Sequence, residues 1–201
     1  SVKGVTLADN ASITGDINNA VGGQILGGTG EGVEHRTNAQ ITGSIINSGT
    51  ISSTTVDGIN IKAGADIGGN ITNNTGSNIT GATHGIVVTG VGSSVSGNIS
   101  NIGTITGTAN DAIRVEQGAV ITGSLTNSGT LTAGARGIIV SAGNSSITSI
   151  TNTGIINSSD DGIAVFTGAI TQGIFNSGTI TSANEDGLDI DDGSTVTGNI
   201  E

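Results

Sequence analysis

The chain contains no cysteine, so no disulfide can staple it and no thiol chemistry is open to it. It has no tryptophan or tyrosine and only 2 phenylalanines, too few to fill a thick globular core or to build the aromatic platforms that sugar-binding clefts use. With 2 histidines and no cysteine, neither a Ser/His/Asp nor a Cys/His catalytic set can be proposed. Basic residues are scarce as well. Lys and Arg number 5 against 16 Asp and Glu, a formal net charge of −11, which argues against nucleic acid or an anionic membrane as a partner. No apolar run is long enough to span a bilayer and no signal peptide is visible, so direct membrane insertion by this segment is not expected.

What is present is Gly, Ser, Thr, Asn and a steady supply of Ile and Val, a composition that favours strands over helices. The stretch ITGSLTNSGTL from Ile121 to Leu131 recurs along the whole chain. Anchored on its first apolar residue, the copies begin at Ile13, Ile41, Ile67, Val95, Ile121, Ile147, Ile170 and Val196, with steps of 28, 26, 28, 26, 26, 23 and 26 residues. Further aliphatic columns follow, through Ile45 and Leu125, through Ile51 and Leu131, and through Ile59, Ile86, Ile113 and Ile138. Each copy thus holds three short segments of period 2 separated by bends. Such a unit forms one rung of a parallel β-helix, in which every strand pairs with its counterpart in the next coil. The expected fold is a single all-β domain over residues 1–201: a single-stranded parallel β-helix of three strands per coil, nearly eight coils long. The crossover bias predicts a right hand. Matching residues then stack about 4.8 Å apart in a rod of roughly 35–40 Å. The longer copies carry their extra residues at bends, at Gly22–Gly23 and within Thr75–Asn78, and the short step falls near Thr167 to Gln172.

Three columns carry polar chemistry. Asn19, Asn47, Asn73, Asn101, Asn127, Asn152 and Asn176 occupy one bend in seven consecutive coils, and an amide both donates and accepts, so the stack is expected to be a structural ladder bonded along its own column. Gly49, Gly103, Gly129, Gly154 and Gly178, two residues on, are expected to supply freedom in φ. A second column, Lys3, Glu31, Asp57, His84, Asp111, Arg136, Asp161 and Asp186, is titratable throughout. Asp-Gly turn chemistry explains part of it. Alternation of sign, as at Asp111 beside Arg136, relieves repulsion in the stack. Where alternation fails, Asp160 and Asp161 stack over Glu185 and Asp186 with Asp189, Asp191 and Asp192 nearby, and these oxygens are the candidate site for calcium, the one cofactor the sequence suggests. The third column is outward and hydroxyl-rich: Thr50/Ser52, Thr104/Thr106, Thr130/Thr132 and Thr179/Thr181 form a candidate surface-binding face, with Asn78/Thr80 in the same rows and interruptions at Gln24/Leu26 and Ile155/Asn157. Its Thr-x-Thr rows resemble the flat ice-binding faces of some β-helical antifreeze proteins. The least regular part is residues 27–40, where GGTGEGVEH is faintly similar to a calcium-binding nonapeptide in a single copy and His35 takes an inward apolar position, read as a core histidine at a distorted coil.

The strings INSGTI (46–51), SNIGTI (100–105), TNSGTL (126–131) and FNSGTI (175–180), each followed in most coils by a Gly-Ile/Leu-x-Val/Ile strand, resemble the repeats of bacterial autotransporter passenger domains, notably large adhesin-like ones. The resemblance covers nearly the whole chain. It implies an extracellular or outer-membrane-surface location and a structural or adhesive part with no catalytic residues. Its partners would be neighbouring copies of itself or a host or abiotic surface. Lack of cysteine fits a chain that crosses a membrane pore unfolded. The rival expectations are an ice-binding β-helix and a polysaccharide-degrading enzyme of the pectin-lyase-like architecture. Gly4 to Leu7 match a strand of later copies, and Ile200 falls within a newly begun coil, so the segment is expected to be an excerpt of a longer rod or a protomer that stacks end to end.

Overall fold

The computed structural model describes residues 1–191 and 193–201; Asp192, named with the acidic corner above, lies outside them. Among the described residues there is no helix, and the strands form three parallel sheets of 8, 13 and 7 strands. The chain is a β-solenoid of about 8 coils of roughly 26 residues.

Each sheet follows from one stretch of the repeat. The Gly-Ile sheet runs from Val5–Leu7 through Val33–His35, Ile59–Lys62 and Ile86–Thr89 to Leu188–Asp191. The threonine sheet runs from Gln24–Gly27 through Thr50–Ser53 and Thr130–Ala133 to Thr179–Ser182. The third and longest sheet carries the first two aliphatic columns on one face. In early coils it is broken into pairs such as Ser12–Ile13 and Ile17–Asn19, which fuse later into Val120–Asn127.

Register follows the sequence alignment. Ile51 pairs with Ile79, Ile79 with Ile105, and Ile105 with Leu131. The two-residue extensions stay in their bends: a turn closed by Gly23 N–H donating to the Ala20 carbonyl at 2.8 Å still delivers Gln24 opposite Thr50. The same holds where Ser77 N–H donates to the Asn74 carbonyl at 3.1 Å and Asn78 lies opposite Thr50. Insertions therefore leave the core untouched, because a bend points away from the stack. The core is a set of continuous aliphatic columns, for example Ile41, Ile67, Val95, Ile121 and Ile147, all buried. Each such side chain contributes about 1.5–3 kcal/mol through burial. No column needs an aromatic ring, which accounts for a fold built with 2 of them.

The bend glycines have a different origin from the one expected. Gly49, Gly103, Gly129, Gly154 and Gly178 are not among the residues with positive φ. They are glycines because the preceding coil leaves no room: a Cβ on Gly129 would stand 2.1 Å from the carbonyl oxygen of Gly103, and one on Gly154 would stand 2.2 Å from that of Gly129. Positive φ falls elsewhere: at Gly22 and Gly76 in the two extended copies of this bend, and at the bend leaving the Gly-Ile sheet, at Ala63, Gln117, Ala142 and Thr167 among others.

Candidate functional site

The asparagine ladder is continuous. Asn19 donates through Nδ2 to Oδ1 of Asn47, Asn47 to Asn73, Asn73 to Asn101, Asn101 to Asn127, Asn127 to Asn152 and Asn152 to Asn176, at 2.7–2.8 Å throughout. All six bonds point the same way. Each donor amide also reaches a backbone carbonyl that opens the threonine strand of the next coil, as Asn127 does to Ile155 at 3.1 Å. The ladder thereby satisfies groups that the bend would leave buried and unpaired. Asn47 to Asn152 are buried, whereas Asn176 is exposed.

A second capping column went unread in the sequence. Asp16, Ser44, Asn70, Asn98 and Ser124 each stand one residue before the second aliphatic column. The backbone N–H of each of the last four donates to the side-chain oxygen of its predecessor, at 2.7, 2.9, 2.8 and 2.8 Å. The signal was there: every member is Asp, Ser or Asn at a constant offset, the residue types that bond backbone groups locally.

The titratable column does stack. Gly32 N–H donates to the Asp57 carbonyl, Gly58 to His84, Gly85 to Asp111 and Gly137 to Asp161. Sequence alignment could not show that the bend tips these side chains over the outer face of the Gly-Ile sheet, where they meet that sheet's own outward residues. Glu34 is buried between Lys3 and Lys62, with Lys62 Nζ at 2.6 Å, and Glu31 lies 3.5 Å from the same lysine. Burial alone would raise the Glu34 carboxyl, but hydrogen bonds and charge from the two lysines outweigh it and hold it below its ordinary value. His84 lies 2.9 Å from Asp57 and 3.6 Å from Asp111. Arg114 grips Asp111 and Glu116, both at 2.7 Å. Arg136 meets Asp161 at 3.1 Å and lies over the Phe166 ring at 5.3 Å. Arg36 pairs with Asp9 at 3.3 Å, so all 5 basic residues of the chain are engaged with carboxylates.

Asp192 apart, the residues of the candidate calcium corner are among those described. Asp161 turns one oxygen to Arg136 and accepts the Asp186 N–H with the other at 3.3 Å. Among the described residues no three Asp, Glu or His side chains converge where an ion could be held, Asp160, Asp161, Glu185 and Asp186 included. Asp189 has its carboxyl raised above the ordinary value, by desolvation and by repulsion from Asp161, Asp191 and Asp186, with Arg136 opposing.

The threonine face is as the sequence placed it. Thr50, Thr104, Thr130 and Thr179 lie on one outward column and Ser52, Thr106, Thr132 and Thr181 on the next, in continuous parallel register without a bulge. Neither outward column holds a charged residue on any of the 7 strands. Among the described residues the eight hydroxyls make no hydrogen bond within the protein. Outward threonines of the neighbouring sheet behave differently: Thr122 and Thr148 each donate to a backbone carbonyl of the preceding coil at 2.7 Å. No cavity or cleft opens among the described residues. No protein-family model matches the chain, and no curated protein or solved structure matches it.

Proposed function

We propose that this chain is a non-enzymatic extracellular β-helix, structural or adhesive in role, that works by presenting long regular faces, in the manner of an adhesin-like autotransporter passenger domain. The observation that carries the reading is the division of polar groups between faces. The basic side chains are all spent on carboxylates, most of them over the Gly-Ile sheet, while the threonine face offers rows of unspent hydroxyls with no charge among them. A flat uncharged face is suited to contact with a surface, since it neither steers nor repels by charge and loses little when salt is added. Adsorption of the chain to host-cell and abiotic surfaces tests this. Thr106→Lys combined with Thr132→Lys should abolish attachment, and Thr122→Lys on the adjacent sheet should leave it intact. Attachment that survives the first pair would overturn the assignment of this face.

The same unspent, in-register hydroxyl rows favour a second reading, ice binding. Against it stand the interruptions at Ile155/Asn157 and Gln24/Leu26. Thermal hysteresis that disappears in the Thr106→Lys, Thr132→Lys variant would establish it in place of adhesion.

A further inference from the structure

Val33–His35 is a three-residue strand of the Gly-Ile sheet with an unusual inward residue. The same place in six other coils is held by Leu7, Ile61, Val88, Val115, Val140 and Val165, and all six are buried. His35 fills it in this coil, in register between Leu7 and Ile61. It is fully buried, and neither of its ring nitrogens has a hydrogen-bond partner. A neutral imidazole is tolerated in such a place as a polar misfit. An imidazolium is not, because nothing within reach accepts its protons.

We propose that this coil is an acid-sensitive weak link: protonation of His35 places an unpaired cation in the aliphatic stack, and the coil opens locally while the all-aliphatic coils beyond it stay folded. Solenoid coils depend chiefly on their immediate neighbours, so a fault in one coil divides the rod there and does not melt it throughout.

The charges around the ring do not rescue it. Val5–Leu7, on one side, carries none. Ile59–Lys62, on the other, carries Lys62, whose ammonium is engaged outside the core by Glu34 and Glu31. On its own strand Glu34 points outward to Lys3 and Lys62, and Arg36, just beyond, pairs with Asp9. Asp66 is the carboxylate that favours the charged ring, and it already accepts the Ser94 hydroxyl. Burial outweighs it and pushes the imidazole down to about 4 from 6.5. The folded coil thus binds the proton less readily than the unfolded one, so its stability is full above 6.5 and falls as the pH drops toward 4. The neighbouring Glu34 adds a later stage. Its value is lowered from 4.5, so its contribution is present above that value and is lost only at still lower pH.

Native-state hydrogen exchange decides the matter, measured as protection factors at about pH 7 and about pH 4.5, a range that spans histidine titration. Amides of Val33–His35 and Ile59–Lys62 should lose protection on acidification, by about 60-fold between these two pH values for a value lowered from 6.5 to about 4, while those of Ile138–Ser141 hold theirs. His35→Val, which installs the residue found in most other coils, should remove the selective loss. Equal losses in the variant and the parent would overturn the proposal. So would a resonance assigned to the His35 imidazole, as distinct from that of His84, that titrates at the ordinary histidine value in the unsubstituted protein.

Discussion

Replacing Asn127 with alanine removes a fully buried rung from the middle of the amide ladder. Its Nδ2 donates to Asn152 Oδ1 at 2.7 Å, to the Ile155 carbonyl at 3.1 Å and, more loosely, to the Gly129 carbonyl at 3.4 Å, and its Oδ1 accepts from Asn101 at 2.8 Å. In the alanine variant Asn101 keeps a donor bond to the Thr130 carbonyl at 3.1 Å, but Asn152 Oδ1 loses the amide that bonded it and is buried. One unpaired buried acceptor costs about 1–3 kcal/mol. Asn19→Ala should cost distinctly less, because Asn47 Oδ1, the acceptor it releases, still takes the Gly49 N–H at 3.3 Å. Asn127→Asp separates hydrogen bonding from packing. At neutral pH its carboxylate accepts from Asn101 but faces Asn152 Oδ1 as acceptor against acceptor, so it should be less stable than Asn127→Ala. Protonated, it regains a donor toward Asn152. The folded-state pKa of this aspartate would be raised above the unfolded value, so its stabilising contribution is present at low pH and is lost as the pH rises through the folded value. Urea midpoints followed by circular dichroism, each compared with the parent at the same pH, give the answer. Equal losses at Asn127 and Asn19, or an Asn127→Asp penalty that does not shrink on acidification, would refute a ladder that works by directed hydrogen bonds.

Gly129→Ala should destabilise by about 1–3 kcal/mol through overpacking, since its Cβ would meet a carbonyl oxygen of the preceding coil at 2.1 Å; a melting midpoint equal to that of the parent would show that the coils can separate there. Thr167 has φ 53 and accepts the Ala142 N–H through Oγ1 at 3.0 Å, so Thr167→Asn, which tolerates the left-handed region and keeps an acceptor, should raise stability by about 1 kcal/mol in the same urea assay. Calcium at millimolar concentration should move the melting midpoint no further than sodium chloride of matched ionic strength, because both Asp161 oxygens are occupied; a shift specific to calcium would show that the corner rearranges to bind it.

The repeat by itself determined the architecture. Ile, Val and Thr in period 2, returning every 26 or so residues, can be buried and paired only if each strand meets its copy one coil later, so register, the aliphatic columns and the Asn127 ladder were all legible. The outward place of Thr130 and Thr132 was legible for the same reason, since neighbours of a buried residue on a strand point the other way. Tertiary structure alone decided what depends on distances between columns. The packing of one coil on the next brings Glu31 from one column within 3.5 Å of Lys62 from another, an adjacency that the repeat period does not encode. The carbonyl of Gly103, a full coil away in sequence, is what forces glycine at position 129, a steric demand invisible to any local rule about turns. His35 could be assigned to the inside from the pattern of its neighbours. That no acceptor reaches either of its nitrogens is a fact about the packed coil, because hydrogen bonds are made by atoms that meet in space.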